Sequence, residues 1–245
     1  YLESDQMMHV TLVQVPDTTQ LMVKNRGMSN GFITGGPKAL LPTVLRNKFD
    51  THSVFSVQNA DTVANIVTID FNPATDGNDY SETVTIQPGA AYYVDAGLKA
   101  ELGAVFNGSA VITATLADTV TPGNIVASSM EYYSNGIGVY AWEGFASGVN
   151  KMYMPAAMCL YGGNQTSYYA VQNTGAVETL IKVTYTPKGG VPVEFTTPSP
   201  ILPGAKYSFN ACTAGMPVGT LGAAEVEGLS APIVAIGKVN IVNSG

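Results

Sequence analysis

The sequence predicts an all-β protein: two tandem antiparallel β-sandwich domains, Ig-like or jelly-roll-like, preceded by an N-terminal strand extension. Three observations carry that expectation. Short blocks recur along the chain at offsets of 113–115 residues. Inside those blocks apolar and polar residues alternate with period two, which puts one face of a strand in a core and the other in water. Charged residues make up only 12% of the chain, about half the usual share, while Gly, Thr, Val and Tyr fill the space. That composition favours strands joined by tight turns.

The extension is residues 1–30. Residues 9–15 and 20–24 are β-favouring runs separated by Pro16-Asp17. Both are apolar on alternating and partly on both faces, as in strands that are covered on two sides. Val10, Leu12, Val13, Leu21 and Val23 are the candidate subunit-interface residues. Two readings stay open here. The strands complete the chain's own first sandwich, or they add to a sheet in a neighbouring subunit, as in donor-strand complementation. The Val15-Pro16 and Leu21-Met22-Val23 order echoes Thr121-Pro122 and Ile125-Val126-Ala127, so the extension reads as the closing hairpin of a unit whose earlier part is absent. The last unit ends at residues 240–245 without the Gly-Phe continuation that follows the first. A head with surplus strands and a tail without its continuation would suit a head-to-tail polymer.

The first unit is expected over residues 31–140 and the second over 141–245. Gly31-Phe32, Gly35 and Pro42 recur as Gly144-Phe145, Gly148 and Pro155, and Val57-Gln58-Asn59 recurs as Val171-Gln172-Asn173. Val67, Ile69 and Phe71 have the apolar copies Ile181, Val183 and Tyr185, and Asp76-Gly77 and Gly189-Gly190 then mark hairpin turns. Pro88-Gly89-Ala90 and Pro203-Gly204-Ala205 are further turns. Residues 110–115 and 125–133 are later strands, matched by 223–227 and 233–242. Six to eight short strands in some 110 residues is the rhythm of a sandwich.

The order Leu41-Pro42, Arg46-Asn47, Ser53, Val57-Gln58-Asn59, Pro88-Gly89-Ala90 and Gly108-Ser109-Ala110-Val111 resembles a tandem repeat of surface and secreted proteins of Chloroflexi-type bacteria. The second copy departs from it at Gly222-Ala223-Ala224. The resemblance covers residues 31–245 and implies an extracellular β-sandwich of architectural or adhesive use, with no catalytic residues to carry over.

Composition excludes some partners. A net charge of −7 without a basic cluster argues against nucleic acid. No apolar stretch approaches the roughly 20 residues of a membrane-spanning helix. The chain opens on Tyr1, read as a mature form after leader removal.

Few residues are candidates for chemistry. Cys159 and Cys212 fall together in unit two, and their counterparts are Arg46 and Gly97. Joint gain favours a disulfide, and with it an oxidising compartment, over two buried thiols. His9 and His52 lack zinc-ligand spacing, and no Gly-x-Ser-x-Gly elbow is present. Asp76, Asn78, Asp79 and Glu82 lack the EF-hand spacing and read as a solvated hairpin. Asn107 and Asn164 head N-glycosylation motifs. Tyr132, Tyr133, Tyr140, Trp142, Tyr153, Tyr168 and Tyr169 are candidates for a glycan-stacking face or for an interface. No cofactor, metal or catalytic residue is expected. The expected role is a secreted structural subunit of an extracellular filament or cell-surface assembly, a homopolymer with itself as partner. The alternatives are a carbohydrate-binding or adhesive module and a viral coat or tail protein.

Overall fold

The computed structural model describes residues 10–13, 28–133 and 138–241. The chain divides into two compact units, Tyr1–Ala146 and Ser147–Gly245. It is all-β, and every strand pairing is antiparallel. Among the described residues no helix is long and apolar enough to cross a membrane.

Unit one begins with two short strands, β1 (Thr11–Val13) and β2 (Met28–Asn30), that among the described residues pair only with each other. The sandwich follows with β3 (Lys38–Arg46), β4 (Thr51–Asn59), β5 (Asn65–Asp76), β6 (Tyr80–Ile86), β7 (Ala91–Asp95), β8 (Phe106–Thr115), β9 (Ile125–Tyr133) and β10 (Val139–Glu143). One sheet has the order β3-β8-β5-β6 and the other β10-β9-β4-β7. Alternate residues from both sheets meet in one core that includes Leu41, Phe55, Val67, Ile69, Phe71, Phe106 and Ile112. Burial at that scale is the main stabilising term, about 1.5–3 kcal/mol for each large apolar side chain.

Unit two repeats the plan with β11 (Lys151–Cys159), β12 (Gln165–Asn173), β13 (Ile181–Pro187), β14 (Val193–Thr196), β15 (Lys206–Asn210), β16 (Thr220–Gly228) and β17 (Ile233–Ile241). Its sheets run β11-β16-β13-β14 and β15-β12-β17. The strands β11 to β17 thus take the places of β3 to β9, and nothing in unit two corresponds to β10 among the described residues. Tyr169 and Tyr185, from opposite sheets, stack in the core with ring centroids 5.9 Å apart.

The repeat is visible at atomic level. Register shifts fall between Leu41 and Val44 in unit one and between Met154 and Ala157 in unit two. Pro42 and Pro155 sit in those bulges, on edge strands, where a missing N–H removes no ladder bond. Gly89 (φ 71°) and Gly204 (φ 79°) make the same left-handed turn, a conformation that costs glycine little.

The unit boundary differs from the expected 140/141. It lies after Ala146 because Val139–Glu143 pairs residue by residue with β9, so Trp142 belongs to unit one. Cys159 and Cys212 form a disulfide with Cα atoms 4.9 Å apart, closing a loop of 53 residues. A cross-link over such a loop is worth about 4 kcal/mol in the chain-entropy model. Unit one holds the same junction with a hydrogen bond, Arg46 Nε donating to Gly97 O at 3.3 Å.

Candidate self-association site

The candidate site is built from the N-terminal strands and from the places where the two sandwiches differ. β1 and β2 pair in the register Thr11–Asn30, Leu12–Ser29 and Val13–Met28. Gly31 N–H extends that ladder to Val10 O at 2.8 Å. A two-stranded ribbon is marginal in water by itself, and this one belongs to neither sheet of the sandwich. The backbone N–H of Asn30 donates to the Glu143 carboxylate, which ties β2 to β10.

β10 shows how a sandwich of this type is closed. Its residues Val139, Tyr140, Ala141, Trp142 and Glu143 pair with Tyr132, Glu131, Met130, Ser129 and Ser128 of β9. The chain then crosses to the other sheet. Gly144 N–H donates to Ala127 O at 2.7 Å, and Phe145 and Leu40 exchange both backbone bonds, at 2.8 and 3.1 Å. Residues 139–145 thereby seal one side seam, binding β9 of one sheet and β3 of the other. Leu40 is 1% exposed. At the corresponding place in unit two stands Tyr153, which is 72% exposed. Pro155 and Ala156 are likewise exposed, while their counterparts Pro42 and Thr43 are buried. Among the described residues the ladder of β11 runs only to β16.

Sequence reasoning missed β10. The signal was present, because Gly31-Phe32 follows Met28-Ser29-Asn30 at the same offset at which Gly144-Phe145 follows Ala141-Trp142-Glu143. In the repeat frame β2 is therefore the counterpart of the second half of β10.

The other singled-out residues take separate places. Of the interface candidates, Val10 is half-buried against Gly31 and Leu12 and Val13 lie in β1, whereas Leu21 and Val23 fall outside the described residues, as does His9. Asn107 is a correction: it is 6% exposed and its amide donates to Thr75 Oγ1 at 2.8 Å, so a glycan has no room there in the folded unit. Asn164 is half-exposed in the β11–β12 turn, and Thr166 of its motif is buried with its hydroxyl accepting from Leu160 N–H at 3.3 Å. The aromatic candidates do not form one platform. Trp142 and Tyr169 are buried, Tyr133 packs on Tyr140 at 6.2 Å, and Tyr132 stacks on His52 at 6.1 Å.

The acidic hairpin is matched by cations of the protein itself. Asp76 pairs with Lys48 at 2.8 Å, and the Lys48 amine and Thr75 hydroxyl hold its carboxyl below the usual range. Glu82 pairs with Lys99, whose ammonium also lies 6.0 Å from the Tyr80 ring centroid and 5.9 Å from that of Tyr92. Asn78 donates its side-chain amide to Glu101 O at 3.1 Å. Among the described residues no group of three or more His, Cys, Asp or Glu is placed to hold a metal.

No family model matches the chain, and no curated protein does.

Proposed function

We propose that this chain is the structural subunit of an extracellular filament or cell-surface assembly, a homopolymer joined by addition of its N-terminal strands to a neighbouring copy. One observation carries the reading. The strand β2 lies ahead of the first sandwich, and its repeat counterpart β10 already works as a closing strand, while the matching seam of unit two leaves Tyr153 bare. Strand addition of this kind draws its affinity from main-chain hydrogen bonds and its selectivity from side chains on alternate positions. The disulfide and the low charge support a place outside the reducing cytosol.

The test compares the full chain with a version lacking residues 1–30, by size-exclusion chromatography and negative-stain microscopy. The full chain is expected to form fibres or large species and the shortened one to stay monomeric. Two monodisperse monomers would end the filament reading.

A further inference from the structure

We propose that the receiving edge for this assembly is the seam between β11 and β17 of a second copy, and that Gly31 and Phe32 occupy there the places that Gly144 and Phe145 occupy in unit one. The proposal rests on the filament reading above and adds the acceptor, the register and the atoms.

The register follows from bonds that the two units share. Gly36 and Ile125 exchange backbone bonds at 3.1 and 2.7 Å, and Val149 and Ile233 exchange them at 2.9 and 2.8 Å. With Ile125 and Ile233 matched, Ala127 corresponds to Ala235. The bulges match Leu41 to Met154, so Leu40 corresponds to Tyr153. The pairing of β3 with β8 and of β11 with β16 agrees, because Leu40 faces Val111 and Tyr153 faces Glu225. The backbone N–H of Leu40 points away from β8, toward Phe145 O. Tyr153 presents its N–H outward in the same way.

Two local details fit an incoming strand. The first is the Ala235 N–H, which donates to the thioether of Met152 at 3.1 Å. Sulfur is a weak acceptor, and an added strand offers a carbonyl in its place. The second is the seam volume. In unit one Trp142 lies opposite Ser129. In unit two the matching position is Gly237, where a Cβ would meet Met154 Cε at 3.1 Å and the Tyr169 ring at 3.3 Å. The Tyr169 hydroxyl is anchored on Ala156 O at 2.6 Å, so that ring stays in the seam. Met154 and Tyr169 thus crowd the spot beside Gly237, and the incoming strand carries the small Ser29 where β10 carries Trp142. Donor and acceptor are thus changed together, small against filled.

Joining the second copy replaces β1 on this edge of β2, so Ser29 leaves its partner Leu12 and takes the place opposite Gly237. Gly31 N–H leaves Val10 O, where it sits at 2.8 Å, for the Ala235 carbonyl. Phe32, 37% exposed, brings its backbone onto Tyr153.

The experiment uses two full-length single variants, Phe32→Cys and Tyr153→Cys, mixed under mild oxidation, with Val191→Cys as an exposed control away from the seam. Partners that exchange both backbone bonds have Cα atoms about 5.5 Å apart, within disulfide reach. A covalent heterodimer whose peptide map links positions 32 and 153, absent with the control, is the expected result. A second variant, Tyr153→Pro, removes the outward N–H of an edge strand and, compared with Tyr153→Ala, which removes the phenol but keeps that N–H, should weaken association about tenfold. If the wild-type chain assembles but neither the 32–153 link nor the Tyr153→Pro effect appears, this register is wrong while the filament reading stands. If the wild-type chain stays monomeric, both fall.

Discussion

At the scale of single residues, the repeat is held by a buried asparagine in each unit. Asn59 donates its amide to Val63 O at 2.8 Å and to Ile86 O at 2.9 Å, and its oxygen accepts from Asp61 N–H at 2.8 Å. Asn173 does the same with Val177 O at 2.8 Å, Ile201 O at 2.8 Å and Gly175 N–H at 2.9 Å. Gln58 and Gln172, one position earlier, donate to the Gly89 and Gly204 carbonyls at 3.1 and 2.9 Å. The Val-Gln-Asn block was legible as a repeat, but its purpose was not, since the partners lie on loops whose backbone path a sequence does not display. Replacing either Asn by Ala removes three hydrogen bonds, two to carbonyls and one from an N–H, each worth about 0.5–1.5 kcal/mol net. Asn59→Ala and Asn173→Ala are each expected to destabilise their own unit by about 3 kcal/mol, measured as a shift in the urea midpoint.

Titration gives a second test at this scale. Burial pushes the hydroxyls of Tyr169 and Tyr185 well above their ordinary value of 10.0, and the neighbouring Tyr169 adds to the effect on Tyr185. Tyr140 is raised by burial first and by Tyr133 next. The unfolded chain ionises these groups from about pH 10 while the folded chain does not, so stability falls as pH rises past that point. Lys99 acts in the same direction. Burial lowers its affinity for a proton, but the hydrogen bond to Glu82 and the charge beside it outweigh that and raise the value above 10.5. Its stabilising pair is complete below 10.5 and is lost as pH climbs through the folded value. Urea midpoints should therefore drop between about pH 8 and about pH 11, and unfolding at the higher pH should release phenolate absorbance.

At the scale of elements, most strands were readable from alternation, because a face that must be buried leaves a period-two trace. Val67, Ile69 and Phe71 and their copies Ile181, Val183 and Tyr185 are fully or almost fully buried. The turns were readable too, since Pro88-Gly89 and Pro203-Gly204 are residue choices that a left-handed turn demands. Gly108 and Gly222 were harder. The second block looks blurred at Gly222-Ala223-Ala224, yet both glycines admit the same close backbone approach. A Cβ would come within 2.2 Å of Asn72 O at the first and 2.1 Å of Thr186 O at the second. β10 was missed because its sequence reads equally as the start of the next unit, and β2 was missed because the pattern puts the expected second strand at residues 20–24. Only the ladder to β9 decides to which unit β10 belongs. The edge strand β11 shows the limit of pattern reading. It follows β3 residue for residue in its bulge, but Leu40, Pro42 and Thr43 are buried where Tyr153, Pro155 and Ala156 are bare, and the segment covering Leu40 is far away in the sequence.

At the scale of the whole molecule, two units with one plan are locked differently at one corner. Unit two joins the end of β11 to the turn after β15 by the Cys159–Cys212 bond, and unit one joins the same places by the Arg46 to Gly97 hydrogen bond. Under load this difference becomes a difference in slack. A chain pulled from both ends can release every residue of unit one once its strands part. In unit two the 53 residues spanned by the bond are shunted out of the load path, which at about 3.4 Å per residue withholds roughly 180 Å of extension. Stretching single molecules should show the unit-two event lengthen by about that amount after reduction, with the unit-one event unchanged, so that an oxidised strand of such subunits would behave as a rope whose second half yields less than its first.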